Sequence, residues 1–164
     1  MPGELTVREI GPDEFELVWP IFQVVVAAGD TYAYAPGTTL EEARALWTLP
    51  PARCFVAEQE GRVLGSYRLQ PNQPGLGDHV ANAGYMVAPE ARGQGIATRL
   101  CEHSLETARA AGFRAMQFNF VVATTEAAVR TWWRQGFEIV GRVPRAFRHA
   151  ELGPTDVLIM YRDL

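Results

Sequence analysis

The 164-residue chain has no lysine, so every one of its fifteen basic side chains is an arginine. Without lysine there is no Gly-Lys-Ser/Thr loop, the device by which a Walker-type turn reaches nucleotide phosphates. Cysteine is scarce: Cys54 and Cys101 stand alone, too few for a disulfide framework. Both fall in apolar patterns, where a thiol packs as a small hydrophobe. No apolar run approaches the roughly 20 residues that cross a bilayer. The first ten residues hold Glu4, Arg8 and Glu9 in a strand-like pattern, unlike a secretory leader, and a cytoplasmic protein is expected. Positive charge is also short, leaving a net charge of −4. Such a surface repels a phosphate backbone, so neither nucleic acid nor membrane is an expected partner. Repeats, linkers and low-complexity tracts are missing, and the 48% hydrophobic and 21% charged content is that of one globular domain over residues 1–164.

Periodicity lays out the elements. Leu5, Val7 and Ile10 predict a first strand. Asp13 is placed to cap a helix in which Phe15, Val18, Trp19, Phe22, Val25 and Val26 recur at helical spacing to about Ala28. Thr39 is set to cap a second helix that Pro50-Pro51 stops. Cys54–Gln59 and Arg62–Gln70 flank Glu60-Gly61 as a hairpin. A strand then ends at Val87, a helix runs from about Gly95 to Ala111-Gly112, and another strand spans Ala115–Val122. Thr124 or Thr125 caps a helix reaching Arg134, with Gly136 as its left-handed stop. Glu138–Arg145 and Asp156–Arg162 close as strands. Hairpin-like strands followed by a βαβ unit predict a mixed sheet with helices on both faces.

The most informative stretch is Val87 to Leu100, Val-Ala-Pro-Glu-Ala-Arg-Gly-Gln-Gly-Ile-Ala-Thr-Arg-Leu. It joins a strand to a helix through two glycines, so backbone N–H groups line up to wrap a pyrophosphate. A dinucleotide fingerprint asks for a third small residue where Thr98 stands. The spacing Arg92, Gly95, Ala97 after Val-x-Pro-Glu instead resembles the acetyl-CoA loop of the GNAT superfamily of acyltransferases. A plain strand-to-helix turn that uses glycine for geometry is the other reading. The family's second signature, Asn-x-x-Ala-x-x-Leu-Tyr-x-x-x-Gly-Phe, meets Thr125–Phe137 with Ala128, Gly136 and Phe137 in register. Thr125, Thr131 and Trp132 stand there in place of Asn, Leu and Tyr. The tail, with Phe147-Arg148-His149 and Leu152-Gly153, resembles a little-characterised microbial subgroup.

The resemblance implies the GNAT fold, an α/β (α+β) architecture. Its mixed, mostly antiparallel sheet has six to seven strands, with helices on both faces. The strand before the turn and the strand after its helix splay around the acyl-CoA arm. It implies an N-acetyltransferase with acetyl-CoA as cosubstrate, no metal, and direct attack of a primary amine on the thioester. The amides of Arg92, Gly93, Gln94, Gly95, Ile96, Ala97 and Thr98 would bind pyrophosphate. The backbone of Met86 and Val87 would pair with pantetheine, flanked by Thr125, Ala128 and Trp132. An indole N–H is no usable acid near neutral pH, so Trp132 does not replace the tyrosine that protonates CoA in many relatives. Packing and lining of the acyl pocket both remain open for it.

Relatives often carry a Glu on the strand before the turn, and this strand has no acid past Asp78. His79 and His149 titrate in the right range for a base, and a water chain to a carboxylate is an equal alternative. Asn82 and Asn119 sit inside strands, where Asn is depleted. One of them, Asn119 by preference, would hold the thioester carbonyl or a pantetheine amide and Asn82 the acceptor, or both are amides satisfied by the sheet. Tyr32 and Tyr34 stand where relatives build the acceptor wall, or are ordinary half-buried tyrosines, and Phe147 would line the same pocket. The acceptor would be a small molecule or an amino group. A homodimer is possible, since relatives commonly pair through late strands. Trp132 and the missing Glu also fit a catalytically silent acyl-CoA binding module or sensor, and a nucleotide-binding α/β domain is the third reading.

Overall fold

The computed structural model describes residues 2–164. Seven strands, β1 (Thr6–Ile10), β2 (Arg53–Gln59), β3 (Arg62–Pro71), β4 (Val80–Val87), β5 (Ala115–Val122), β6 (Glu138–His149) and β7 (Gly153–Asp163), make one sheet in the order β1-β2-β3-β4-β5-β7-β6. Only β4 and β5 run parallel; every other neighbouring pair is antiparallel. Four helices, α1 (Trp19–Ala28), α2 (Leu40–Thr48), α3 (Ile96–Ala110) and α4 (Glu126–Arg134), complete the fold. This is the mixed, mostly antiparallel seven-stranded sheet that the resemblance implies. Among the described residues no helix is long and apolar enough to cross a membrane.

The period of two in β3 shows how the helices take opposite faces. A Cβ at Gly65 would lie 3.0 Å from both Ile96 and Leu100 of α3. The next residue, Ser66, points the other way and accepts a hydrogen bond from the buried Trp47 indole of α2 at 3.0 Å. Odd positions of β3 therefore face α3, even positions face α1 and α2, and β4 follows through the register Tyr67↔Tyr85.

Thr39 caps α2 as its position predicts, in a reciprocal box with Glu42, a device that contributes about 1 kcal/mol. The first helix differs from its periodicity. Pro12–Leu17 forms a 3-10 turn, Asp13 caps nothing, and α1 starts only at Trp19. Pro20 has no N–H to continue a helix from Asp13, so the chain restarts there with proline in the first turn. The last hairpin runs further than the apolar pattern, to His149 and back from Gly153. A bulge lies between Val143 and Phe147, and a small second core of Val122, Phe147 and Val157 holds the extension. Cys54 and Cys101 are fully buried, and burial pushes both thiols up to about 12, so they pack as hydrophobes.

Candidate active site

β4 has two unlike edges. Its neighbour β3 pairs with it over seven positions, from Gly65↔Val87 to Pro71↔Ala81. The bonds at the two ends, Ala88 N–H to Leu64 O and Asn72 N–H to Val80 O, are both 2.8 Å. Antiparallel pairs alternate between bonded and non-bonded positions, so the even residues of β4 spend their backbone groups on β3. The odd residues Ala83, Tyr85 and Val87 turn theirs toward β5. There the ladder covers only Val80↔Ala115 and Ala81↔Met116. At the next step the Asn82 side-chain amide donates to Gln117 O at 3.0 Å. Past that stitch the strands part and leave a fork. Of the two residues expected to meet pantetheine, Val87 has backbone groups free for it. Those of Met86 face β3, and its side chain is buried; the freed partner is Tyr85.

The fork opens toward the start of α3. A short 3-10 turn, Pro89–Ala91, leads from β4 into Arg92–Gly95. Gly93 and Gly95 adopt φ of +76° and +80°, where L side chains are strained, and a Cβ on either would meet open space. The first helical bond runs from Arg99 N–H to Gly95 O, so the N–H groups of Ile96, Ala97 and Thr98 have no partner inside the helix. No side chain caps this end, and its first turn carries no acid. An exposed, uncapped N-terminus attracts an anion. The Arg92–Thr98 segment thus joins two left-handed glycines to an uncapped helix start.

The α3 face of the fork is aromatic. Trp132 sits 4.8 Å from Tyr85 and 5.3 Å from Phe118, ring centre to ring centre, and Phe137 stacks on Phe118 at 4.2 Å. Only 8% of Trp132 is exposed, and its ring packs α4 against the fork. Thr125 and Ala128 share its helix face by their spacing. The Thr125 hydroxyl donates to Val122 O at 2.5 Å and does not cap the helix.

The opposite face holds the acceptor-side candidates. Tyr32 and Tyr34 stack at 5.5 Å. The Tyr32 hydroxyl donates to Tyr85 O at 2.8 Å, and burial pushes its phenol pKa up, so it stays a neutral donor. Asn82 also accepts from Arg68 at 3.1 Å, which engages both ends of its amide. Asn119 is exposed. It accepts from Gln117 at 2.9 Å and donates to Asn72 at 2.6 Å, so it ties β5 to the β3–β4 loop. Phe147 is buried in the second core, edge-on to Phe120 at 6.0 Å.

The two histidine candidates sit at different places along the chain. His79 is exposed and precedes β4, at the stitched end, some 26 Å along the strand from Val87 at about 3.3 Å per residue. His149 accepts the N–H groups of Glu151 and Leu152 on Nδ1, at 3.1 and 3.2 Å. That fixes the neutral ring with its proton on Nε2, the wrong form to take a proton outward, and makes it a cap for the hairpin turn. The third histidine, His103, bonds Tyr67 at 2.8 Å on the α3 face, and burial lowers its pKa. Among the described residues no cluster of three His, Cys, Asp or Glu could hold a metal.

Periodicity missed three residues here. Asp30, Thr31 and Arg68 each bury a polar side-chain atom with no partner. Their isolation arises from the packing of the α1–α2 loop on the sheet, which no local pattern encodes.

Comparison with known proteins agrees with this geometry. The model of the Acetyltransferase (GNAT) family matches residues 14–137. A GCN5-related N-acetyltransferase from Kribbella flavida is 44% identical, with a TM-score of 0.93 and 98% of each chain covered. A GNAT superfamily phosphinothricin acetyltransferase from Sinorhizobium meliloti, solved in complex with AcCoA, shares the fold at 21% identity. Its TM-score is 0.86, over 98% of this chain and 88% of that one. The N-acetyltransferase aca1 of Schizosaccharomyces pombe is 36% identical over 86 residues, 52% of this chain. The match spans 41% of that protein's length. With a family match across most of its length and a full-length relative at this identity, the chain belongs to the GNAT acetyltransferase family.

Proposed function

We propose that the chain moves an acetyl group from acetyl-CoA to a primary amine by direct attack of the amine on the thioester. The observation that carries the reading is the fork, with two paired positions between β4 and β5, continuous with the amide-lined start of α3. The N–H groups from Arg92 to Thr98 would hold the pyrophosphate, and the free edge of β4 would hold the pantetheine arm as an added strand. Acetyl-CoA supplies an activated acyl carbon and a thiol leaving group with a pKa of about 8.5, taking cysteine as the guide. A free N–H of Tyr85 or Val87 would stabilise charge developing on the carbonyl oxygen. Because the thiol is a good leaving group, a packed Trp132 in place of a tyrosine is tolerable.

The amine is the harder partner. An alkylammonium of pKa about 10.4 is neutral roughly once in a thousand at pH 7.4, a deficit of about 4 kcal/mol. With no histidine poised as a base, the amine sheds its proton to water before attack. The test is thermal. Acetyl-CoA or CoA at about a hundredfold over its dissociation constant should stabilise the chain by about 2.7 kcal/mol, roughly 5–10 °C at this size. No shift sinks the reading, and a larger shift with ATP or NAD selects a nucleotide-binding domain. Stabilisation without CoA release across an amine panel selects the silent acyl-CoA module.

A further inference from the structure

We propose that Tyr32 is a positioning residue for acyl transfer: its hydroxyl caps the Tyr85 carbonyl, so that β4 offers the thioester a hydrogen-bond donor with no unpaired acceptor beside it. The inference rests on the acyl transfer proposed above and adds to it a residue that sets where along β4 the acyl group sits.

The parity of β4 carries the first step. Ala88 donates to Leu64 O at 2.8 Å, and Met86 lies opposite Ser66 in the same phase of the ladder. The N–H and C=O groups of Tyr85 and Val87 therefore point toward the fork. Along that edge the order is Tyr85 N–H, Tyr85 C=O, Val87 N–H, Val87 C=O. One of these groups is taken, because the Tyr32 hydroxyl donates to Tyr85 O at 2.8 Å. Val87 keeps a donor and an acceptor, the pattern that an amide-bearing arm needs to pair as an added strand. Tyr85 keeps a donor alone. A thioester has a carbonyl that accepts and no N–H that donates. Of the polar groups along an acyl-pantetheine arm, it is the one that suits a donor-only position.

Gly84 makes the reach possible. It lies inside β4, where a glycine weakens the strand and marks a close approach. A Cβ there would stand 3.0 Å from the Tyr32 hydroxyl oxygen, so the phenol occupies the space a side chain would fill. Tyr34, stacked at 5.5 Å, and Trp47, edge-on at 6.3 Å, hold the ring in this pose. Phenylalanine would make the same ring contacts, and only the hydroxyl reaches Tyr85 O. Without it, Tyr85 O would face the acyl group with nothing to accept. A buried acceptor without a partner is costly, and an arm that slides to bring an amide N–H to it relieves that cost. The acyl carbonyl then leaves Tyr85 N–H, and the charge developing on its oxygen loses its donor.

The experiment compares the full chain with Tyr32→Phe and with Gly84→Ala, which keeps the phenol and pushes its oxygen off Tyr85 O. Calorimetry reads the binding of CoA and of an unreactive acetyl-CoA analogue with a methylene in place of sulfur. CoA release with a panel of primary amines reads turnover. Tyr32→Phe keeps its ring contacts and should melt within a few degrees of wild type. It should bind CoA, which has no acyl carbonyl, within about threefold of wild type and the analogue about tenfold more weakly. Its kcat should fall about tenfold or more, with KM for the amine little changed. Gly84→Ala should show the same split. A residue that only anchored its loop would weaken CoA and the analogue alike. Equal weakening of both ligands, kcat within about threefold of wild type, or faster turnover by Tyr32→Phe overturns the proposal. A wild-type chain that binds neither ligand defeats acyl transfer itself, and this proposal with it. A wild-type chain that binds both without turnover leaves the ratio of the two affinities to decide.

Discussion

β4 is bonded along seven positions on one side and two on the other, yet its sequence, Val-Ala-Asn-Ala-Gly-Tyr-Met-Val, gives no hint of which residue serves which edge. The β3 side is structure: Ser66, Trp47 and Cys54 close a buried polar contact there, and Phe55 stacks on Tyr67 at 4.6 Å. The β5 side leaves backbone groups unspent on purpose-built aromatic and polar walls. On the proposed reading one strand separates stability from recognition by residue parity, and substitutions one position apart should have different consequences.

The sharpest way to break that comparison is proline. Met86→Pro removes an N–H that β3 uses and should cost about 3 kcal/mol or more of stability, read as a lower urea midpoint or loss of the folded protein. Val87→Pro removes one that no strand uses. It should leave most of the stability and lower kcat about 10²- to 10³-fold; equal destabilisation by both would erase the distinction. Gly95→Ala, at φ +80°, should weaken CoA binding about tenfold or more by calorimetry, while the strain costs about 1–2 kcal/mol.

A smaller effect tests the histidines. His149→Gln should change kcat/KM less than about threefold. The pH profile of either protein should rise close to tenfold per unit between about pH 6 and 8, as expected of an amine that loses its proton to water; an inflection near 6.5 lost in the variant would restore His149 as a base.

The smallest effect lies at the far edge of the sheet. The Arg53 guanidinium donates to Glu9 at 2.8 and 3.0 Å and holds its carboxyl below the ordinary value near 4.5. A depressed folded pKa means stability that is present above the unfolded value and is lost as pH falls through the folded one. Both partners are almost half exposed, so Glu9→Gln should cost at most about 1 kcal/mol at pH 7. That cost should shrink as pH falls through the lowered folded pKa in denaturant titrations.

The readable parts of this fold were local ones. Thr39 with Glu42, the Glu60-Gly61 turn, and Pro89 through Gly95 each announce themselves within a few residues, because caps, tight turns and left-handed glycines depend on nearest neighbours. Register is a property of pairs of strands, so the exchange of Met86 for Tyr85 on the free edge could not be seen from β4 alone. His79 and His149 stand out in the sequence by residue type alone, while the hydrogen bonds to His149 Nδ1 depend on a turn two residues away. Gly84, Tyr32 and Trp47 close around Arg68 only in the fold, because they come from three separate elements.

The Asn82–Gln117 amide contact gives the fork a bottom. From that contact to Val87 is about 17 Å of strand at 3.3 Å per residue, a finite slot for a donor that enters from the α3 end. On the proposed reading the acyl tail points toward the closed end, and each added methylene takes it about 1.3 Å nearer to a wall fixed by one hydrogen bond. On that reading the side chain that holds the two strands together would double as a gauge of acyl length, favouring short donors over long ones.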